Sequence, residues 1–444
     1  MKQIQMKHDM TKGSIGNTLV LFTAPLILSG LLQQIFNWVD AFIVGNVEGE
    51  LALAGIGATT SLYNLFVTVI VGFASGISVF VAQQYGMGEE KQINRILSAM
   101  AVVLGGVFLC ISFLGVLFTV PILKILDTPN NIFEVAREYM RILFLGIPFL
   151  AVYNTYAAVL RGMGDSRAAF LSVFVCSLMN AALDILFVAI LHFGVAGAAG
   201  ATVLAQAVMA VFVVIYAAKR YPLLRFRLSR TCIDWAVIKK GAGLSLPPAV
   251  QSGTNSVGNL VLQRFMNGFG EKTVVAITTA YRVDSVILLP IVNFGSGIAT
   301  VVAQNIGAGN QERAKKVLKT GGLMISAISV CLTGIVLLAG KHLIAMFGLT
   351  MESVEIGRMF FERIAACYIV YGLAMAMRGF LEGTGDMLFS GIAGMTALGV
   401  RIAASYLLRQ ECGNMVIAYA EAFSWVALLL IYVFRYFVKN RRKR

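Results

Sequence analysis

Residues 23–45 read TAPLILSGLLQQIFNWVDAFIVG, an apolar run that is long enough to cross a bilayer but contains a carboxylate, Asp40. An ionisable side chain at membrane depth is costly, so it usually faces a cavity or the protein interior and has a function there. On an α-helix Gln33, Asn37 and Asp40 share one face, because they follow one another at intervals of four and three residues. Pro25 lies upstream, where its ring and its missing N–H allow the helix to bend. The polar stripe predicts either a functional site or hydrogen bonds that only join helices.

The composition is that of a protein that crosses a membrane many times. Of the 444 residues, 58% are hydrophobic and 13% are charged, and the mean hydropathy is +0.80. Soluble proteins, in contrast, are about half apolar and about a quarter charged. The net charge of +14 resides in short segments between apolar runs, which is the pattern that sets membrane orientation. We therefore expect membrane lipid and no nucleic acid as a partner.

Neither a metal centre built on Cys and His nor an enzyme active site is indicated. The six cysteines and three histidines are dispersed and show no metal-ligand spacing. No nucleophile elbow of the G-x-S-x-G type is present. We expect no catalytic activity and no cofactor. The amino terminus lacks the apolar core and cleavage site of a signal peptide, so we expect the first membrane helix to be retained.

Apolar runs of about 20 residues or more predict about twelve membrane helices and an all-α polytopic fold. They lie near residues 15–45, 51–85, 95–120, 135–161, 167–191, 195–218, 241–268, 273–306, 313–340, 354–382, 387–408 and 414–438. The loops between them are short and often marked by glycine.

Lys and Arg are unevenly distributed between alternate loops. The amino terminus, the connector 219–240, the cluster 313–319 and the tail 439–444 are basic and fall on one side. The alternate loops hold little more than Lys124, Lys272, Lys341 and Arg409. Because basic loops stay in the cytoplasm, we expect both termini to be cytoplasmic in a multi-pass protein of the cell inner membrane.

The two halves of the chain repeat. VFVAQQYGMGEEKQINRILSAM (79–100) aligns with TVVAQNIGAGNQERAKKVLKTG (300–321), and LRGMGD (160–165) aligns with LEGTGD (381–386), both with the same separation along the chain. An even number of spans separates equivalent positions, so the halves share one topology and a pseudo-twofold axis along the membrane normal. We predict two six-helix bundles, residues 1–218 and 241–444, joined by the basic linker 219–240.

The first half concentrates carboxylates. Asp40 aligns with Leu262, whereas Asn180 and Asp184 lie four residues apart on one helical face and align with Arg401 and Ser405. We predict that Asp40, Asn180 and Asp184 come together with Thr202. Two carboxylates at close range in a low dielectric repel, which favours uptake of a proton by the pair. The same oxygen ligands also suit Na⁺, and the alternative is that each Asp is satisfied separately.

The second half has a different set of polar residues. Arg401 lies in an apolar helix and has two acidic residues, Glu421 and Asp284, as possible partners. This predicts either a buried ion pair that fixes helix packing or a role in a substrate cavity. The residues that we expect in a substrate cavity are Gln33, Asn37, Asn255, Asn259, Asp284 and Arg401. With 19 Met and 29 Phe residues, the chain could also form a flexible cavity for varied apolar ligands.

The sequence resembles the multidrug and toxic compound extrusion (MATE) family, and within it the DinF-like branch. The resemblance covers nearly the whole chain. It depends on the twelve-span repeat, the paired VAQQYG (81–86) and VAQNIG (302–307) elements, the prolines near the start of the first and seventh helices, and Asp40 with Asn180 and Asp184. It implies alternating access between two bundles and export of cationic or amphiphilic compounds, driven by H⁺ or Na⁺. It also implies a cation site at Asp40, Asn180, Asp184 and Thr202, and bending of the first helix at Pro25.

The predicted function is therefore a secondary active antiporter that exports organic cations, expected to act as a monomer. The nearest alternative is a flippase for a lipid-linked precursor, which a large cationic cavity faced by both Arg282 and Arg401 would favour. A membrane-embedded enzyme and a channel are weaker alternatives, since unequal buried acids fit coupled transport better than a passive pore.

Overall fold

The computed structural model describes residues 9–225 and 234–441, and these residues are almost entirely helical. The α-helices are α1 (Ile15–Val47), α2 (Gly49–Gly86), α3 (Glu90–Leu117), α4 (Thr119–Ile125), α5 (Asn130–Gly162), α6 (Ser166–Asp184), α7 (Gly194–Arg220), α8 (Trp235–Asn267), α9 (Glu271–Ile287), α10 (Leu289–Gly307), α11 (Gln311–Ala345), α12 (Met351–Ile364), α13 (Tyr368–Gly383), α14 (Met387–Leu407), α15 (Arg409–Cys412) and α16 (Val416–Arg441). A π-helix, Ile185–Ile190, continues α6, and short 3₁₀ turns occupy Pro222–Leu224, Ala365–Cys367 and Gly413–Met415. The prediction of an all-α polytopic protein is confirmed.

Within the described ranges, eleven helices are long and apolar enough to cross a membrane. The remaining predicted span corresponds to α8, which has 33 residues but is not among the eleven. Lys239, Lys240 and Arg264 lie in α8 together with many Ser, Thr, Asn and Gln residues, so its mean hydropathy is low although its length is sufficient. The predicted span 273–306 is divided into α9 and α10, because Pro290 at the start of α10 cannot continue the hydrogen-bonding pattern of α9.

The chain divides into two compact units. The amino unit comprises Ala24–Ala249, and the carboxyl unit comprises Met1–Thr23 together with Val250–Arg444. The boundaries therefore fall inside α1 and α8, close to Pro25 and Pro248. The predicted bundles 1–218 and 241–444 with their linker stay a prediction, and linker residues 226–233 lie outside the described residues.

Each unit is built around one central helix. In the amino unit α5 packs against α2, α3 and α7, and in the carboxyl unit α13 packs against α10, α11 and α16. LRGMGD (160–165) at the end of α5 and LEGTGD (381–386) at the end of α13 are the repeated sequences, so the two helices are equivalent. The internal repeat is thus a repeat of packing as well as of sequence.

A close glycine contact occurs at equivalent places in the two units. A Cβ atom on Gly162 of α5 would lie 2.6 Å from the Ser78 carbonyl oxygen and 2.8 Å from Val81 Cβ of α2. A Cβ atom on Gly383 of α13 would lie 2.6 Å from the Ala299 carbonyl oxygen and 2.7 Å from Val302 Cβ of α10. Small residues let membrane helices approach this closely, since no bulkier side chain fits between the backbones.

Gly383→Ala is expected to lower the melting temperature of the purified protein, because overpacking of a tight contact costs about 1–3 kcal/mol. Gly322→Ala is the matched control, since a Cβ atom there meets nothing within 4 Å. The control should raise the melting temperature slightly, because alanine favours a helix over glycine by about 1 kcal/mol. Equal shifts of the same sign in the two variants would contradict the close-contact interpretation.

Candidate functional site

A cavity of about 280 Å³ lies within the amino unit between α1, α2, α5, α6 and α7. Its polar lining residues are Gln33, Asn37, Tyr63, Asn64, Tyr153, Asn154, Ser177, Asn180, Thr202 and Gln206. Aromatic and aliphatic side chains such as Phe36, Val67 and Met209 complete the wall. Polar groups that converge among apolar side chains in one cavity are typical of a small-molecule or ion site.

The four residues predicted to form a cation cluster are distributed between this cavity and the protein core beside it. Asn180 and Thr202 line the cavity. The carboxyl groups of Asp40 and Asp184 lie close enough for each charge to act on the other. Asn180 is one helical turn before Asp184 on α6, so it connects the carboxylate pair to the cavity.

Several polar atoms of this cluster are buried without a hydrogen-bond partner among the described residues. They are both carboxylate oxygens of Asp184, Oδ1 of Asp40 and Nδ2 of Asn180. Asp184 is 0% exposed. A buried carboxylate without donors is strongly destabilised, and a bound proton or metal cation would relieve that cost. The geometry is therefore that of a site prepared to take up a positive charge.

Thr202 donates its hydroxyl hydrogen to the Ala198 carbonyl oxygen at 3.1 Å, which is an ordinary bond within α7. The hydroxyl lone pairs stay available as acceptors in the cavity. Thr202 could thus serve a cation only as an oxygen ligand.

The backbone changes its helical form at Asp184. The α-helical geometry of α6 ends at this residue, and residues Ile185–Ile190 continue as a π-helix. The Leu191 N–H donates to the Leu186 carbonyl oxygen five residues earlier. π-Helical turns inside α-helices are rare and frequently accompany functional sites. The apolar sequence of this segment contains no signal for such a turn.

Three side chains near the cluster are absent from the sequence-based set. Gln206 Nε2 donates to the Tyr63 hydroxyl at 2.7 Å, and Gln206 Oε1 has no partner among the described residues. Tyr139 of α5 is buried close to both Asp40 and Asp184. Gln206 follows Thr202 by four residues, so helical spacing could have identified it. Tyr63 and Tyr139 lie in long apolar helices without any such signal.

Helix α1 brings its polar stripe to the cavity. Gln33 and Asn37 line it, as expected for residues one turn apart. The helix is continuous through Pro25, whose carbonyl oxygen accepts a hydrogen bond of 2.8 Å from the Ser29 hydroxyl. The role of Pro25 as a bend point stays a prediction.

A second cavity, of about 320 Å³, lies within the carboxyl unit. Its polar lining residues are Asn259, Gln263, Tyr281, Arg401, Ser405 and Glu421. Arg401 donates to the Tyr281 hydroxyl at 2.8 Å and to Glu421 Oε2 at 3.0 Å, and its guanidinium also lies over the Tyr281 ring. Arg401 thus pairs with Glu421, one of the two partners considered from the sequence.

The other residues expected in a substrate cavity lie elsewhere. Asp284 is buried and accepts a hydrogen bond from the Tyr368 hydroxyl. Asp284 and Asn255 line neither of the two cavities. Arg282 is exposed on part of its surface and also lines neither.

Two internally repeated helical units, each with a polar cavity between membrane-spanning helices, define the class of protein. They have the architecture of a membrane transporter that is built from repeated halves.

The comparison with known proteins identifies the family. The MatE family model matches residues 25–186 and 247–407, and the chain belongs to this family. The probable multidrug resistance protein YpnP of Bacillus subtilis (strain 168) is 27% identical over 381 residues, covering 86% of this chain and 85% of that protein. The probable multidrug resistance protein YoeA of the same organism is 26% identical and covers 98% of this chain and 96% of that protein.

The fold is shared with solved structures. A crystal structure of MATE in the bent conformation superposes with a TM-score of 0.91 at 19% identity, covering 100% of this chain and 99% of that chain. The resemblance to the MATE family is confirmed, and the assignment to its DinF-like branch stays a prediction.

Proposed function

We propose that this protein is a secondary active antiporter that exports organic cations and amphiphilic compounds, driven by H⁺ or Na⁺ entering the cell. The observation that carries the proposal is the Asp40–Asp184 pair, two neighbouring buried carboxyl groups with orphaned oxygens beside a polar cavity. The names of YpnP and YoeA as probable multidrug resistance proteins support the same substrate class.

The coupling step follows from charge. With no cation bound, the two carboxylates repel each other inside the amino unit, and this favours a conformation that admits a proton or Na⁺ from outside. Binding of the cation removes the repulsion and lets α1 rearrange about Pro25. Because Gln33 and Asn37 lie on the same helix and line the cavity, a movement of α1 would change the cavity and release the substrate.

The driving force is sufficient for useful export. A membrane potential of about 100 mV supplies about 2.3 kcal/mol for each charge that crosses. For a cycle in which one net positive charge enters the cell, this corresponds to a concentration ratio of about fiftyfold, since about 1.4 kcal/mol is a factor of ten, and a pH or Na⁺ gradient adds to it. Exchange of one H⁺ or Na⁺ for one monovalent organic cation moves no net charge, so the ion gradient alone drives it. We propose that transport takes place in the cytoplasmic membrane, with both termini on the cytoplasmic side.

The flippase alternative finds less support. A lipid-linked pyrophosphate would require several unpaired cations in one cavity. Arg401 is paired with Glu421 at 3.0 Å, and Arg282 lines neither described cavity. The cavity of the amino unit has amide, hydroxyl and aromatic walls without a basic residue, which suits a cationic ligand better.

The test is transport by the purified protein in liposomes. A pH gradient and a Na⁺ gradient are imposed separately, and the movement of a fluorescent organic cation is followed. Transport driven by the pH gradient alone would identify a proton site. Transport driven by the Na⁺ gradient would identify a metal cation site. We expect Asp40→Asn to abolish the drive in either case, because an amide can neither carry the proton nor supply the charge that balances Na⁺.

Asp127→Asn is the matched control. Asp127 is exposed on a turn, and its φ of 49° suits asparagine as well as aspartate. The control should transport at the wild-type rate. If neither the pH gradient nor the Na⁺ gradient drives transport of the organic cation by the wild type, the antiporter proposal is contradicted.

A further inference from the structure

The cavity of about 320 Å³ in the carboxyl unit lies at the place that corresponds, in the internal repeat, to the carboxylate cluster of the amino unit. Four of its lining residues are the repeat counterparts of polar residues in or beside that cluster: Asn259 of Asn37, Leu262 of Asp40, Arg401 of Asn180 and Ser405 of Asp184. Both carboxylates are thus replaced by uncharged side chains, and an amide is replaced by a guanidinium. The repeat therefore points to ligand groups of opposite charge in the two units.

The guanidinium of Arg401 uses only part of its hydrogen-bonding capacity. Nη2 makes both of its polar contacts, with the Tyr281 hydroxyl and with Glu421 Oε2, and the side chain makes no other hydrogen bond within residues 9–225 and 234–441. Of the five N–H donors of an arginine side chain, the three on Nε and Nη1 thus have no acceptor there. Both nitrogens are accessible, since neither is among the fully buried atoms without a partner and the side chain is 17% exposed in the cavity wall.

The carboxyl groups near Arg401 leave these donors free. Glu421 accepts a hydrogen bond from Nη2 alone. Asp284 lies close enough for its charge to act on Arg401, but it does not line the cavity and accepts a hydrogen bond from the Tyr368 hydroxyl. An acceptor group that enters the cavity therefore meets N–H donors of a cation that neither carboxyl group occupies.

A second guanidinium lies beside the wall of the cavity. The apolar and aromatic part of this wall consists of Leu262, Phe265, Met266, Tyr281 and Ile417. The Arg409 guanidinium lies 5.7 Å from the centroid of the Phe265 ring. Arg409 donates to the Gly268 carbonyl oxygen at 3.3 Å and forms no ion pair within the part of the chain that the structure describes. Positive charge thus borders an aromatic wall.

We propose that the cavity of the carboxyl unit binds the carboxylate group of an aromatic compound, with the carboxylate on Nε and Nη1 of Arg401 and the aromatic ring against Phe265 and Tyr281. Hydrogen bonds between a guanidinium and a carboxylate are roughly twice as strong as those between neutral groups. A carboxylate is therefore preferred over an uncharged acceptor of the same shape. Glu421 keeps its contact with Nη2, because the ligand uses the other two nitrogens.

The ligand class differs from the one proposed for the amino unit. The cavity there contains no basic residue, whereas the cavity of the carboxyl unit presents Arg401. The protein would thus bind organic cations in one half and organic anions in the other. Binding without any gradient tests the second site, so its failure is distinguishable from a failure of the antiporter proposal.

The test measures binding of dansylglycine, a fluorescent aromatic carboxylate, to the purified wild-type protein in mild detergent. Dansylglycinamide is the matched probe, since it differs only in having an amide in place of the carboxylate. We expect dansylglycine to bind about tenfold more tightly, which corresponds to about 1.4 kcal/mol. Equal affinities would identify apolar adsorption, and a lack of dansylglycine binding would show that the cavity takes no carboxylate. Either outcome overturns the proposal, and neither depends on a variant.

Substitutions locate the site. Arg401→Met/Glu421→Leu removes the guanidinium without leaving a buried charge, and it should abolish the preference for dansylglycine over its amide. Arg378→Met/Glu382→Leu is the matched control, because it makes the same changes at another Arg–Glu pair of the carboxyl unit, 2.6 Å apart, that does not line the cavity. The control should keep the preference of the wild type. If the variant at Arg401 and Glu421 kept that preference as well, the carboxylate would bind elsewhere and the proposal would be overturned.

Discussion

Asp184→Asn is expected to reduce gradient-driven export to the level of protein-free liposomes and, at the same time, to raise the melting temperature of the purified protein. Both oxygens of Asp184 are buried without a hydrogen-bond partner among the described residues, and the Asp40 carboxyl group lies nearby. An amide of the same shape removes the cost of burying a charge but cannot take up a cation. Stability gained together with activity lost is the signature of a functional site.

Asp165→Asn is the control at the other end of the same helix. Asp165 is 1% exposed, but its carboxylate is well satisfied. It accepts hydrogen bonds from Tyr216 at 3.0 Å and Tyr221 at 2.8 Å, and it caps the Ala168 N–H. Loss of hydrogen bonds to a charged group costs about 1.5–3 kcal/mol, so this variant should melt at a lower temperature. If Asp184→Asn also melted lower and still exported, Asp184 would be a structural residue.

Glu421→Ala is expected to cause the largest loss of stability, about 3–5 kcal/mol. It leaves the guanidinium of Arg401, whose side chain is only 17% exposed, with the Tyr281 hydroxyl as its one polar partner among the contacts described above. Arg401→Met should cost less, because the carboxyl group that stays behind can be neutralised by a proton, whereas a guanidinium does not release one. The double variant Arg401→Met/Glu421→Leu should recover much of the loss, since an apolar pair can replace a buried ion pair.

Melting temperatures of the wild type, both single variants and the double variant in the same detergent would measure this coupling. Additive losses would show that Arg401 and Glu421 do not act as a pair. Transport by the double variant separates structure from function. Wild-type export would assign the pair to helix packing, and lost export from a stable protein would assign it to the cavity of the carboxyl unit.

The membrane helices were predictable because their signals are local. Apolar runs and flanking turns predicted α1 at 15–45, and the structure has it at Ile15–Val47. The internal repeat predicted equivalent helices, and Gly162 and Gly383 make the same contact in the two units. The division of a predicted span into α9 and α10 depends on Pro290, which interrupts the helix although the run around it is apolar throughout.

The polar residues were predictable only in part. Asp40, Asn180, Asp184 and Thr202 could be selected because charge and amides are costly in an apolar helix. The sequence also presented Glu421 and Asp284 as equal partners for Arg401, and the structure pairs Arg401 with Glu421. Tyr63 and Tyr139 carried no signal, since a tyrosine in an apolar helix is ordinary.

Helical spans, the internal repeat and the positions of the buried acids follow from the order of residues along the chain, because the bilayer imposes length and polarity on each helix separately. Which side chains meet is a property of helices that are distant in sequence. The contact of Gln206 with Tyr63, the position of Tyr139 beside two carboxylates and the π-helix after Asp184 all depend on how α2, α5, α6 and α7 pack.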